Sequence, residues 1–346
     1  MKTRVCLEKR WGVAAIIPKR LPLVMRHILL LLLLTFPAML QATITLQCTT
    51  NNGQVTITGY TGSGSVLIIP SSTNGYPVTS IGASAFLNKS SLTSVTIPNS
   101  ITNIGTSAFS GCLGMTNATI GNSVTIIGDD AFYNCQYLTG VNVPNSVTVI
   151  GQYAFYMCAL TNIIFPNSVT NIGTYAFVGC NLINVTLPNQ LTSIQDWTFY
   201  DCTSLANVII PNSVTNIGTG VFEYDTAITN VSFGTGVANI GNAAFDGCTS
   251  LTSVTIPPSV LNITVGAFSG CSSLSNILCQ GNAPPLADRR SPVSAAKRKS
   301  TTCPEPRVGP QRMTVFQPER CKCRATRTRT TMVRSSLRVT QEPLVS

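Results

Sequence analysis

The chain has 346 residues, with 22 Lys and Arg against 12 Asp and Glu, a formal charge of +10. That charge is not shared out. From Thr49 to Ala287 the single base Lys89 stands against Asp129, Asp130, Asp196, Asp201, Glu223, Asp225 and Asp246, a net of −6, whereas Asp288 to Ser346 holds 14 bases against 4 acids, a net of +10. The positive balance therefore belongs to the tail, which excludes a nucleic-acid reading of the body built on net charge, and the one histidine, His27, sits near the amino end, which excludes Ser-His and Cys-His catalysis and His-based metal sites from the rest.

At the amino end, Met25–Ala42 reads as a secretory signal, with a basic start, an apolar run from Ile28 to Leu34 and a small residue at Ala42. The run is too short for a membrane span. Residues 1–24 are longer and more basic than such a leader needs, so Met25 is read as the alternative start of a signal that ends at 42. Leu46-Gln47-Cys48 lacks the small residue before Cys that a lipid anchor requires. Residues 43–70 alternate weakly and are predicted to form a β-hairpin, its strands joined at Gly62-Ser63-Gly64. Such a hairpin would cap the open end of a stack of repeats.

From there the sequence is periodic. Leu92, Met115, Leu138, Leu160, Leu182, Leu205, Ile228, Leu251 and Leu274 recur at steps of 22 or 23 residues. A fixed period in this range predicts a solenoid whose units cannot bury their apolar side alone. Within the unit Leu92–Gly114, Val95 and Ile97 point inward and Ser94 and Thr96 outward, because strand side chains alternate faces. Pro98 and Asn99-Ser100 end the strand in a turn. Ile101 and Ile104 form a second apolar pair, and Gly105 permits a bend. Phe follows once per coil, from Phe86 and Phe109 to Phe245 and Phe268, and these rings are expected to form one core column at the ~4.7–4.9 Å strand spacing. Cys112, Cys135, Cys158, Cys180, Cys202, Cys248 and Cys271 share one repeat position, so they are read as small buried hydrophobes rather than a disulfide framework. No C-x-x-C pair supports zinc. The fold predicted is a repeat solenoid over residues 71–286, right-handed, with one short strand per coil and about nine to ten coils.

The pattern LTSVTIPNSITNIGTSAFSGC and its variants, over Val66–Cys279, resemble the BspA-like class of bacterial leucine-rich repeats. Departures are local: Gly121 and Gly234 replace the Pro, Asp225 stands where Cys is expected, and Gln195-Asp196-Trp197 stand for Ile-Gly-x. The resemblance implies a secreted or surface-exposed protein, of a class implicated in adhesion to host or matrix proteins.

The chemistry of an enzyme is not supported. Asp196 and Asp201 are the nearest thing to a carboxylate pair, and they read as solvated loop residues; Asp129-Asp130 falls short of a calcium ligand set. No catalytic, cofactor or metal residues are assigned. What remains is a surface. The outward strand positions make two columns, and their centre is the candidate binding face: Asn162, Ile164, Asn184, Thr186, Asn207, Ile209, Asn230 and Ser232. Ile164, Ile209 and Leu278 are apolar within an otherwise polar sheet. The expected partner is a protein or glycan bound by a secreted monomer with no membrane span after signal removal; the alternative is a structural spacer of a larger envelope protein, its Asn residues merely bonding to one another up the stack. Residues 287–346 lose the period, the Thr/Asn composition and the acidity together. Shifting the frame there permits TEVYYLPGTTGW over Lys297–Gly309 and, over Thr331–Glu342, NGTVITTGYTG, close to Asn52–Gly62. The tail is accordingly read as a basic segment produced by a frameshift.

Overall fold

The structure is a computed structural model that describes residues 44–281 and the backbone of one strand, Arg4–Glu8. The signal segment Met25–Ala42 and the basic tail lie outside the described residues. Strand β1 (Arg4–Glu8) pairs antiparallel with β2 (Ile44–Asn51), and β2 pairs antiparallel with β3 (Gln54–Gly62). The hairpin turn is Asn52-Gly53, not Gly62–Gly64 as the sequence pattern predicts. Both turn residues take positive φ, 49° and 73°, the twist that a two-residue hairpin with long strands requires. The Asn-Gly pair is the stronger turn signal, and the Gly-Ser-Gly stretch masks it. β3 then pairs in parallel with the strand Tyr76–Ile81, so the cap runs directly into the stack.

The solenoid begins at Val66–Ile68, which pairs in parallel with Ser94–Thr96. About ten turns follow, and no helix occurs among the described residues. Each coil carries the expected short strand, three residues long in most coils. Most carry a second, two-residue strand where the sequence shows only an apolar pair: Asn103–Ile104, Ile126–Ile127, Val149–Ile150 and Asn171–Ile172 in one ladder, Ser193–Ile194 to Asn262–Ile263 in another. Ile194 thus fills its usual place, and in that coil the glycine is replaced by Gln195 and the alanine before Phe by Thr198.

The core lies between the strand columns. The Phe rings are stacked from Phe86 to Phe268 with centroids 4.9–5.6 Å apart and planes within 17° of parallel. Apart from Phe86–Phe109 the spacing exceeds that of strands, as offset stacking demands. The cysteines form the column expected of them. Each thiol donates to the Phe carbonyl of the preceding coil, as in Cys135 Sγ to Phe109 O at 3.2 Å and Cys158 Sγ to Phe132 O at 3.1 Å, and none of these seven is in a disulfide. Burial pushes the Cys112 thiol up to about 11 and that of Cys180 to about 12. Since the thiolate is the nucleophile, alkylation of these seven at neutral pH is expected only as fast as the protein unfolds globally. Mass spectrometry of a labelling time course checks this, and rapid labelling of the native protein would refute it.

Three interruptions divide the strand ladders. Asn142 turns its side chain into the sheet: Oδ1 accepts the Ile120 N–H at 2.8 Å and Nδ2 donates to the Ile120 carbonyl at 2.9 Å. The first column stops at Gly140–Val141, resumes at Asn162–Ile164 and breaks again between Asn230–Ser232 and Ser253–Ile256. The second column breaks between Asn171–Ile172 and Ser193–Ile194, at the coil whose glycine is missing.

Candidate functional site

The eight residues of the candidate face come together on one uninterrupted four-stranded parallel sheet. Its register sets Asn162, Asn184, Asn207 and Asn230 in one row and Ile164, Thr186, Ile209 and Ser232 in the other. All eight are exposed, with Ser232 at the end of its row, because Ile163, Val185, Val208 and Val231 between them point into the core and period-two alternation sends their neighbours outward. Ile164 is 81 % exposed and Ile209 64 %, with Thr186 between them. Leu278 is only half-buried in the last strand, Asn276–Cys279, so it does not extend this patch.

The asparagines do not bond to one another on this face. Asn162 Nδ2 reaches its neighbour Thr161 Oγ1 at 3.5 Å, and the other three make no side-chain hydrogen bond among the described residues. On the second strand column, by contrast, Asn262 does donate to Asn239, at 2.8 Å. Each exposed amide offers one acceptor and two donor hydrogens. The row is a line of unused hydrogen-bonding groups, one per coil.

The acids play a different part. Asp129 Oδ1 accepts the Gln152 N–H and Asp196 Oδ1 the Thr219 N–H, at 2.8 and 2.7 Å, each bonding one coil to the next. No group of three or more His, Cys, Asp or Glu that could hold a metal is found among the described residues.

A second surface is not evident from the sequence. On the arc between the bend glycine and Cys, Tyr153, Tyr175 and Trp197 stack at 4.8 and 5.0 Å, and Tyr133 stacks on Tyr156 at 4.8 Å. Tyr200 and Tyr224 meet edge to face at 5.6 Å. The corresponding places in other coils hold residues such as Ser107, Ser110 and Ala243, so the core does not require rings there. Tyr153, Tyr175, Trp197 and Tyr224 also take positive φ, 51–64°, a conformation that costs about 1–3 kcal/mol in a non-glycine residue. Six of the seven acids of the repeats lie on the same arc, and the seventh, Asp225, stands at the Cys position. The signal available was a concentration of Tyr and Trp in consecutive coils at positions that the repeat otherwise fills with small residues.

A β-solenoid with one short strand per coil of about 23 residues, a Phe spine and an exposed polar strand face defines a leucine-rich-repeat protein. The chain belongs to the BspA type leucine rich repeat family: the family model matches residues 66–183 and 170–284, with six copies. Among solved structures it is similar to a leucine-rich repeat protein from Bacteroides ovatus, at 25 % identity over 70 % of this chain and 88 % of that one, with a TM-score of 0.31. It is also similar to a leucine rich cell surface protein from Faecalibacterium prausnitzii, at 26 % identity over 74 % and 97 % of the two chains and a TM-score of 0.33. A Treponema pallidum leucine rich repeat protein is 27 % identical over 66 % and 87 %, with a TM-score of 0.37. No curated protein matches.

Proposed function

We propose that this is a secreted or surface-displayed binding protein that engages its ligand through the strand face centred on Ile164 and Ile209. The observation that carries this reading is the row of four exposed asparagine amides, in register and not bonded to one another, beside two exposed isoleucines. On the other column such amides do pair in one place, Asn262 with Asn239, whereas none pairs on this face. The signal-like Met25–Ala42 supports export. An extended protein segment suits the face better than a sugar chain, because the face carries amides and aliphatic groups and no aromatic ring for a sugar to stack on.

The test is binding of the purified protein to immobilised matrix proteins and to a glycan array. Burying an isoleucine contributes about 1.5–3 kcal/mol, so Ile164→Asp together with Ile209→Asp is expected to weaken binding at least ~100-fold. Binding that survives both substitutions would move the site elsewhere. No ligand in either panel would leave the spacer reading standing. The aromatic arc supports a second place for the contact, since Tyr and Trp are enriched in interfaces and these rings stand where other coils carry small residues. If that arc is the site, Tyr224→Ser, at an exposed position, removes binding while the isoleucine pair does not.

A further inference from the structure

Asp225 occupies the place in the thiol column where the neighbouring coils have Cys202 and Cys248. Those thiols donate to the Phe carbonyl one coil back, Cys202 Sγ to Phe177 O and Cys248 Sγ to Phe222 O, both at 3.2 Å. By the same register the atom at position 225 should donate to the carbonyl of Phe199. An ionised carboxylate has no hydrogen to give. The second donor is missing too: Cys180 and Cys248 direct their N–H to the Phe carbonyl of their own coil, at 3.3 and 3.4 Å, but the Cys202 N–H turns instead to Asp225 Oδ1, at 2.6 Å. No donor among the described residues reaches the Phe199 carbonyl. Asp225 itself is fully buried, and its Oδ2 has no partner.

An unpartnered oxygen and an undonated carbonyl at adjoining places in the column are satisfied together by one proton. We propose that Asp225 is held in the fold as a neutral carboxylic acid whose Oδ2–H donates to the Phe199 carbonyl in place of the thiol, making this coil the alkali-sensitive point of the solenoid. The surroundings agree. Burial raises the carboxyl well above its ordinary range, the charge of Asp201 adds to that, and the Cys202 N–H opposes it without prevailing. The groups that face it are Asp201 and Cys202 from the coil before and Cys248 from the coil after, with Glu223 and Asp246 on the flanking arc. Burial raises the Cys202 thiol and a hydrogen bond with Cys271 raises that of Cys248, and a charge on Asp225 would push both further up. None of these is a cation, and Lys89 is the only base among residues 49–281.

The sign of the effect is set by where each state gives up the proton. Below about pH 4 Asp225 is protonated both folded and unfolded, and its titration does not affect stability. Above that the unfolded chain loses the proton while the folded one keeps it. Each pH unit then lowers the folding equilibrium constant about tenfold, until the folded group ionises and the loss levels off. Asn has the shape of the neutral acid, with an N–H where the O–H would be, and cannot ionise; Cys restores the column. Chemical denaturation of the full chain from pH 4 to 8 should show wild type and Asp225→Asn close together at pH 4, with the variant gaining about tenfold per pH unit above it. Asp225→Cys should show the same rising advantage. A gap that does not change with pH, or a wild type that gains on the variants as pH rises, overturns the proposal. If neither variant folds, infrared spectroscopy of the wild type decides it: a C=O band of an un-ionised carboxyl at pH 7 upholds the neutral acid, and its absence refutes it.

Discussion

Replacing Phe155 with Ala is expected to destabilise the solenoid by about 3–5 kcal/mol, among the largest effects of any single core substitution. The ring has no exposed surface and lies 5.3 Å from Phe132 on one side and 5.3 Å from Phe177 on the other. Shortening it to a methyl group removes two stacking contacts and leaves a void that the neighbouring coils cannot close, because their spacing is fixed by the strand ladders. In a repeat array, stability is approximately a sum of unit terms and nearest-neighbour interface terms. A central ring belongs to two interfaces. Phe268, stacked only on Phe245 among the described rings and slightly exposed, belongs to one, so Phe268→Ala should cost roughly half as much. Urea unfolding of both variants measures this, and equal losses would show that the Phe column does not behave as a chain of interfaces.

The sequence is most informative where a residue type recurs because the core demands it. Phe, Cys, and the inward Val and Ile of each strand follow one register, and that register alone predicts the exposure of Ile164 and Ile209. It is least informative where one coil differs from the rest. Asn142 looks like another outward polar residue beside Thr96 and Thr119, yet its amide is geometrically equivalent to a peptide group and replaces one in the sheet. The aromatic arc is hidden for a related reason. Tyr153, Tyr175 and Trp197 lie two residues after the bend, in a segment that is neither period-two strand nor helix, so no pattern of alternation says which way they point. Their stacking appears only when successive coils are placed about 5 Å apart. As for a ligand, Asn, Thr and Ile at exposed strand positions say that a surface is available, and their chemistry is too general to name what covers it.

The bend glycines carry the second large expectation, and it comes in two opposite directions. A β-carbon built on Gly128 would lie 2.7 Å from the Ile104 carbonyl oxygen, 2.9 Å from the Gly105 carbonyl carbon and 2.9 Å from the Thr106 nitrogen. These are backbone atoms of the preceding coil, which cannot rotate away as a side chain can. The glycine is therefore needed for close approach: its N–H reaches the Ile104 carbonyl at 2.9 Å, and the same bond recurs from Gly105 to Ile81 and from Gly151 to Ile127. Gly128→Ala is expected to cost about 2–4 kcal/mol, combining overpacking with loss of that bond, although alanine is ordinarily the better residue by entropy. Gln195 is the natural counter-experiment. It has the β-carbon, its N–H makes no bond to the Ile172 carbonyl, and the strand ladder stops there. Gln195→Gly should let the two coils close, restore the bond and join the two ladders, offsetting the roughly 0.5–1 kcal/mol that an added glycine usually costs. Thr264 marks the limit of the rule. It has a β-carbon and still bonds to the Ile240 carbonyl, at 3.0 Å, in a coil near the end of the described stack where fewer neighbours fix the spacing. Thermal unfolding of Gly128→Ala and Gln195→Gly separates the effects: a fall in Tm for the first with none for the second is the expected pair, and two falls of similar size would mean that close approach at the bend is not what holds the coils in register.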